Sequence, residues 1–201
     1  MNDSREHILS TSLKLFLQKS FKEVTMKEIV DKTGLSKGAF YHYFKSKEEV
    51  FSEVINHFFL GTLQVDFSRF DRHSLKGFFT DMLVQYEKDR ASMAKTLPAD
   101  KDSTFNNNFY FLLFDAMRML PDFKEQHHIL QKEELRAWRH VVSIARKNKE
   151  INTEMSDEQV AKLFIYLSDG TNLNLILGDE VDKKRNELKT LWNALYNSLT
   201  A

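Results

Sequence analysis

Lys37 and Tyr41 stand four residues apart in the stretch Ser36-Lys37-Gly38-Ala39-Phe40-Tyr41-His42-Tyr43-Phe44. On a helix, residues four apart share a face, so Lys37 and Tyr41 project together, beside Gly38 and His42, while Phe40 and Phe44 project inward. One side is then basic, aromatic and sterically small, and the other is a pair of large apolar rings. The first side suits hydrogen-bond donation to phosphates and base edges, with Gly38 and Ala39 leaving room for a close backbone approach. Ser36 adds a capped helix start, whose unpaired N–H groups favour an anion. Ser46 and Lys47 repeat that arrangement further on, as a second candidate phosphate clamp.

Other residue pairs point to different chemistry and carry less. Glu125-x-x-His128 has the spacing of one ligand pair of a carboxylate-bridged di-metal bundle, but no second Glu-x-x-His accompanies it. Glu53-x-x-x-His57 can set two ligands on one helix face, with a solvated polar pair as the competing explanation. The absence of Cys removes disulfides, thiolate metal sites and thiol catalysis together. No Gly-rich phosphate loop, nucleophile elbow or zinc motif is present. The expectation is a chain that is not an enzyme and needs no metal or cofactor.

The elements that must position Lys37 and Tyr41 are helical throughout. Periodicity near 3.6 recurs along the chain and sustained strand-like alternation does not, so the fold class expected is all-α: a small N-terminal three-helix domain and a larger helical bundle. Asp3 with Glu6, Thr25 with Glu28, Ser46 with Glu49 and Ser156 with Gln159 each have capping-box spacing. Helices are expected over 4–19, 26–32, 36–43, 46–63, 74–96, 105–120, 123–148, 157–177 and 182–199, with Pro98 and Pro121 between elements. Thr33-Gly34 ends the second of these, because Gly accepts the positive φ of a sharp turn. A boundary near residue 48 divides 1–48 from 49–201.

The 201 residues hold 29 basic and 29 acidic side chains and are 42% hydrophobic, too apolar for a disordered chain. Charge is unevenly placed: residues 22–47 hold six Lys against Glu23, Glu28 and Asp31, a local basic patch in a neutral chain. The first twenty residues lack the apolar core of a targeting signal, and the aromatic and aliphatic run Phe109 to Phe114 is far below the roughly 20 residues of a membrane span. A cytoplasmic protein without membrane contact is expected.

Residues 25–47 alone leave two explanations open, a DNA-reading helix-turn-helix or three short helices of an ordinary bundle. The run Gly34-Leu35-Ser36-Lys37-Gly38-Ala39-Phe40-Tyr41-His42-Tyr43-Phe44-Lys45-Ser46-Lys47-Glu48, preceded by Ile8, Leu9, Leu15, Phe16 and Phe21, resembles the N-terminal domain of the TetR family of bacterial transcription regulators. The resemblance covers roughly residues 5–52. It implies that Thr25, Ser36, Tyr41, His42 and Lys47 contact phosphates and that Lys37, Gly38, Ala39 and Lys27 face base edges. Ser20 departs from the pattern, since the family usually has Gly there.

The same resemblance implies a C-terminal domain that binds a small ligand and dimerises. In the penultimate helix Leu163, Leu167, Gly170, Asn174 and Leu177 follow a 4-3-4-3 spacing, and in the last helix Leu188, Trp192, Leu195 and Leu199 follow 4-3-4. Two such seams can build a four-helix dimer interface, with ordinary core faces as the competing explanation. Large apolar side chains in the middle helices, among them Met82, Tyr86, Phe109, Leu113, Met117, Trp138 and Tyr166, with Asn172 as a polar anchor, are candidates for lining an apolar or aromatic ligand, and equally for core packing. The leading expectation is a homodimeric, ligand-responsive regulator, more specifically a repressor, on a pseudo-palindromic double-stranded DNA operator. The alternatives are a helical small-molecule carrier or interaction module without operator recognition, and, third, an all-α enzyme.

Overall fold

A computed structural model describes residues 3–60, 65–96, 107–177 and 184–200. All regular elements among them are helical: α1 (Asp3–Glu23), α2 (Met26–Thr33), α3 (Lys37–Tyr43), α4 (Lys47–Ile55), α5 (Leu75–Thr96), α6 (Asn107–Met119), α7 (Pro121–Lys147), α8 (Asp157–Leu177) and α9 (Lys184–Thr200). The expected all-α class stands. The chain divides into two compact units, Met1–Gln64 with Met93–His127, and Val65–Ser92 with His128–Ala201.

The caps read from the sequence at Thr25, Ser36, Ser46 and Ser156 define helix starts, whereas Asp3 is the first residue of α1 and Glu6 pairs with His57. Thr25, Ser36 and Ser46 each accept a hydrogen bond from the backbone N–H three residues on, at 3.2, 3.2 and 3.1 Å. Ser156 and Gln159 close a reciprocal box, with Gln159 N donating to Ser156 Oγ and Ser156 N to Gln159 Oε1. Glu28 and Glu49 do not complete theirs. Glu28 turns to the Lys19 ammonium at 2.6 Å, which holds its carboxyl below the ordinary value, and Glu49 accepts from the Lys45 backbone N–H.

Three boundaries differ from expectation, each for a local reason. The helix expected over 46–63 stops as α4 at Ile55 and widens into a π turn, Asn56–Leu60, where the adjacent rings of Phe58 and Phe59 are both buried. Pro121 does not separate elements but opens α7, at the first helical position where a missing N–H costs nothing. Helix α1 continues to Glu23 across a kink at Ser20, whose φ of 71° favours glycine, so the one departure from the family pattern falls where the backbone asks most of a side chain.

In the first unit Phe16, Phe21 and Phe51 form an aromatic knot with centroids 4.6 to 5.8 Å apart, beneath Phe40 and Phe44. Leu112 and Ala116 of α6 and Phe123 of α7 join the same core. The packing unit around the first three helices therefore extends beyond residue 48. The second unit is built on Leu75, Phe78, Phe79 and Met82 of α5, Trp138, Val141 and Val142 of α7, Val160 and Phe164 of α8, and Leu188, Trp192 and Leu199 of α9.

Candidate functional site

Helices α2 and α3 are joined by Gly34 at φ 67°, ψ 6°, the left-handed conformation the turn required. Phe40 and Phe44 are buried at 0% and 2% exposure, which anchors α3 from below. Its other face is bare: Lys37, Gly38, Ala39, Tyr41 and His42 are exposed, as are Ser36, Thr25 and Lys27 near the helix starts. A Cβ on Gly38 would meet no atom within 4 Å. Nothing inside the chain therefore explains a glycine there, although Gly weakens a helix by about 1 kcal/mol relative to Ala. That space is open among the described residues.

Lys47 is the exception among the nine candidate contacts. Its ammonium donates to the backbone carbonyls of Phe21 at 2.9 Å and Val24 at 2.7 Å and lies 4.4 Å from the Phe21 ring centroid. Two of three donors are thus committed to closing the end of α1, and one is left for a phosphate. Sequence spacing carried no sign of this, because the partners lie 26 and 23 residues away. Glu53 pairs with Arg5, and His57 with Glu6 at 3.0 Å. The pair considered as metal ligands is instead split between two partners on α1.

The candidate ligand residues separate. Leu113 and Met117 pack against the first core, while Met82, Tyr86 and Trp138 belong to the second. Tyr166 is 62% exposed on α8 and lines no interior, because its turn of the helix faces away from the core that Phe164 enters. The side chain of Phe109 lies outside the described residues. Tyr86, Trp138 and Asn172, expected from the sequence, belong to the same unit and are joined by Ser168 and Glu134, which the sequence did not single out: Ser168 donates to the Tyr86 hydroxyl at 3.1 Å, and Asn172 Oδ1 is buried without a hydrogen-bond partner among the described residues. Burial raises the Tyr86 pKa, aided by the charges of Glu134, Asp169 and Asp89. Burial, then the charge of Asp169, pushes Glu134 up to about 7, against a smaller opposing pull from the Trp138 N–H.

The two candidate dimer seams also part. On α9 Leu188, Trp192 and Leu199 are at most 1% exposed, with Trp192 Nε1 donating to the Phe164 carbonyl at 2.9 Å, and Leu195 packs against the same core. That seam is interior, so its heptad spacing marks a core face. On α8 Leu163, Tyr166 and Leu173 are exposed large apolar side chains, beside Gly170, whose Cβ position is open, and exposed Asn174. Leu167 is half-buried, and the Leu177 side chain lies outside the described residues.

A buried aromatic floor, a left-handed glycine turn and a bare basic face make residues 25–47 a helix-turn-helix. Residues 8–54 match the model of the bacterial regulatory proteins of the tetR family. The HTH-type transcriptional regulator YerO of Bacillus subtilis, itself uncharacterized, is 52% identical over 48 residues, 24% of this chain and 17% of that protein. The HTH-type transcriptional repressor NemR of Escherichia coli is 45% identical over 47 residues, 23% of this chain and 24% of the repressor. The chain is thus matched over less than a quarter of those relatives' length. Over the whole chain the likeness is one of fold: a transcriptional regulator from Rhodococcus superposes with a TM-score of 0.60 at 16% identity, over 98% of each chain. No helix among the described residues is long and apolar enough to cross a membrane.

Proposed function

We propose that this chain is a cytoplasmic, non-enzymatic transcription regulator, a repressor that binds a pseudo-palindromic operator as a homodimer and releases it when a small ligand occupies the second unit. Residues 1–48 read DNA, and residues 49–201 carry dimerisation and ligand binding. The observation that carries this reading is the bare face of α3, with Gly38 open to solvent above buried Phe40 and Phe44. In the major groove Lys37, Gly38 and Ala39 face base edges, with Lys27 at their side, while Thr25, Ser36, Tyr41 and His42 hold phosphates.

Dimerisation rests on the α8 stripe of Leu163, Tyr166, Gly170 and Leu173. Four apolar or small residues at helical spacing, exposed in a single chain, are the self-complementary patch that a two-fold axis covers. Two reading heads on one axis require half-sites about one helical turn apart. Selection of bound duplexes from a random pool tests the reading. Enrichment of an inverted repeat supports it, and an unenriched pool at low salt sinks it in favour of a carrier or interaction module.

A further inference from the structure

Three consecutive side chains of α1 reach three other elements of the first unit. Arg5 pairs with Glu53 of α4 and lies over the Phe44 ring, with its guanidinium carbon 5.9 Å from the centroid. Glu6 meets His57 of the π turn at 3.0 Å. His7 sets its Nε2 3.0 Å from the Thr33 carbonyl at the end of α2. Ile8 and Leu9, next in the chain, are wholly buried, so this part of α1 is itself fixed to the core.

Two of these contacts fall at the two ends of α3. Thr33 immediately precedes Gly34, whose φ of 67° turns the chain toward α3, and Phe44 is the extended residue that ends it. A carbonyl oxygen only accepts, so the His7 ring donates. The Thr33 carbonyl is among the last of α2, which have no partner within the helix, and Thr33 is buried. The peptide that carries this carbonyl also carries the Gly34 N–H, and the two move as one plane. That N–H makes only a long bond to the Asp31 carbonyl, 3.4 Å, so the turn holds itself weakly and His7 supplies the shorter restraint. At the other end Arg5 meets α3 through the buried Phe44 ring, opposite Lys37 and Tyr41.

We infer that His7 and Arg5 are positioning residues for the reading helix: His7 holds its entry through the Thr33 carbonyl, Arg5 holds its exit through the Phe44 ring, and neither touches DNA. This rests on the reading of α3 as the DNA-reading helix. Base edges are read only from one orientation of that helix, and affinity falls with the fraction of molecules that hold it. Attraction to phosphates carries no sequence information and tolerates a misaligned helix. Loss of either restraint therefore acts on operator recognition and spares non-specific binding.

Two variants of one residue in the full-length protein test this. His7→Leu removes the donor from an exposed position, and His7→Gln keeps an N–H at similar reach. The probes are a duplex enriched from a random pool and a scrambled duplex of the same length. His7→Leu should bind the enriched duplex about three- to tenfold more weakly than the parent, with scrambled-duplex affinity and salt slope unchanged. His7→Gln should bind close to the parent, and Arg5→Gln should behave as His7→Leu does. Without DNA, amide hydrogen exchange over residues 34–44 should quicken about three- to tenfold in His7→Leu and not in His7→Gln. Parent-like operator affinity in His7→Leu, equal losses on both duplexes, a salt slope smaller by about one unit, or failure of His7→Gln to restore binding would each overturn the inference. If no duplex is enriched while exchange follows the donor, DNA reading falls and the hold on α3 stands. If a duplex is enriched and His7→Leu binds it as the parent does, the hold falls and DNA reading stands. No enrichment with unchanged exchange sinks both.

Discussion

The Lys47 ammonium donates to the Val24 carbonyl at 2.7 Å, bringing the start of α4 onto the α1–α2 turn. With the second bond to Phe21 and the ring beneath it, this lysine closes the carbonyl end of α1 beside the Ser20 kink. Lys47→Ala should therefore cost stability, about 1–3 kcal/mol for hydrogen bonds from a charged donor. Its effect on the slope of log-affinity against log-salt should stay below the roughly one unit of a full phosphate contact. Thermal melts and salt titrations on one variant separate the roles. An unchanged melting temperature with a full unit lost from the slope would make Lys47 a phosphate ligand first.

Gly38 yields opposite signs for stability and function. A methyl there meets nothing within the chain, so Gly38→Ala should stabilise the helix by about 0.5–1 kcal/mol. In the proposed docking operator affinity should fall all the same, because the added methyl would stand between α3 and the groove. A variant that is both more stable and an equal binder would remove Gly38 from the interface.

The α8 stripe is the part of the proposed interface that a single chain leaves uncovered. Tyr166→Asp with Leu173→Asp places charge on side chains exposed at 62% and 44%, so the fold of the monomer should survive. Sedimentation should then show a folded monomer where the parent is a dimer. Persistence of the dimer would locate the interface elsewhere. Leu188 and Trp192 are unsuitable for the same test, since altering them damages the core itself.

Glu134 makes stability depend on pH. Its carboxyl is raised from 4.5 to about 7 in the folded chain, so folding favours the protonated form. Stability from this group is complete below pH 4.5 and is lost as pH rises through about 7. Glu134→Gln should raise stability at pH 8, on the order of 2–3 kcal/mol, and do much less at pH 5. Denaturant melts at the two pH values measure the difference; equal effects at both would mean that the carboxyl stays ionised in the folded state.

The helix-turn-helix was legible residue by residue because its determinants act over short spans of chain. Thr25, Ser36 and Ser46 cap within three residues, Gly34 turns the chain by its own φ, and Phe40 and Phe44 anchor α3 at a spacing of four. The all-α class followed from the same short-range periodicity. Ser20 was likewise visible as a misfit, and its backbone has the positive φ that made it one.

Periodicity says that a face is apolar without saying what it meets. Leu188, Trp192 and Leu199 repeat on α9 as Leu163 and Gly170 repeat on α8, yet the first set is interior and the second is open. Leu113 and Met82 looked alike in composition and went to different cores. Lys47 and Glu134 depended on groups far away in sequence: carbonyls 23 and 26 residues earlier for one, the charge of Asp169 on another helix for the other. Helix type, caps and the exposed basic face of α3 were thus determined by the sequence itself, through interactions a few residues long. Which apolar faces pair, and which charges are desolvated beside one another, was decided only when tertiary packing brought distant segments together, because burial and electrostatic coupling belong to the assembled neighbourhood and not to any stretch of chain.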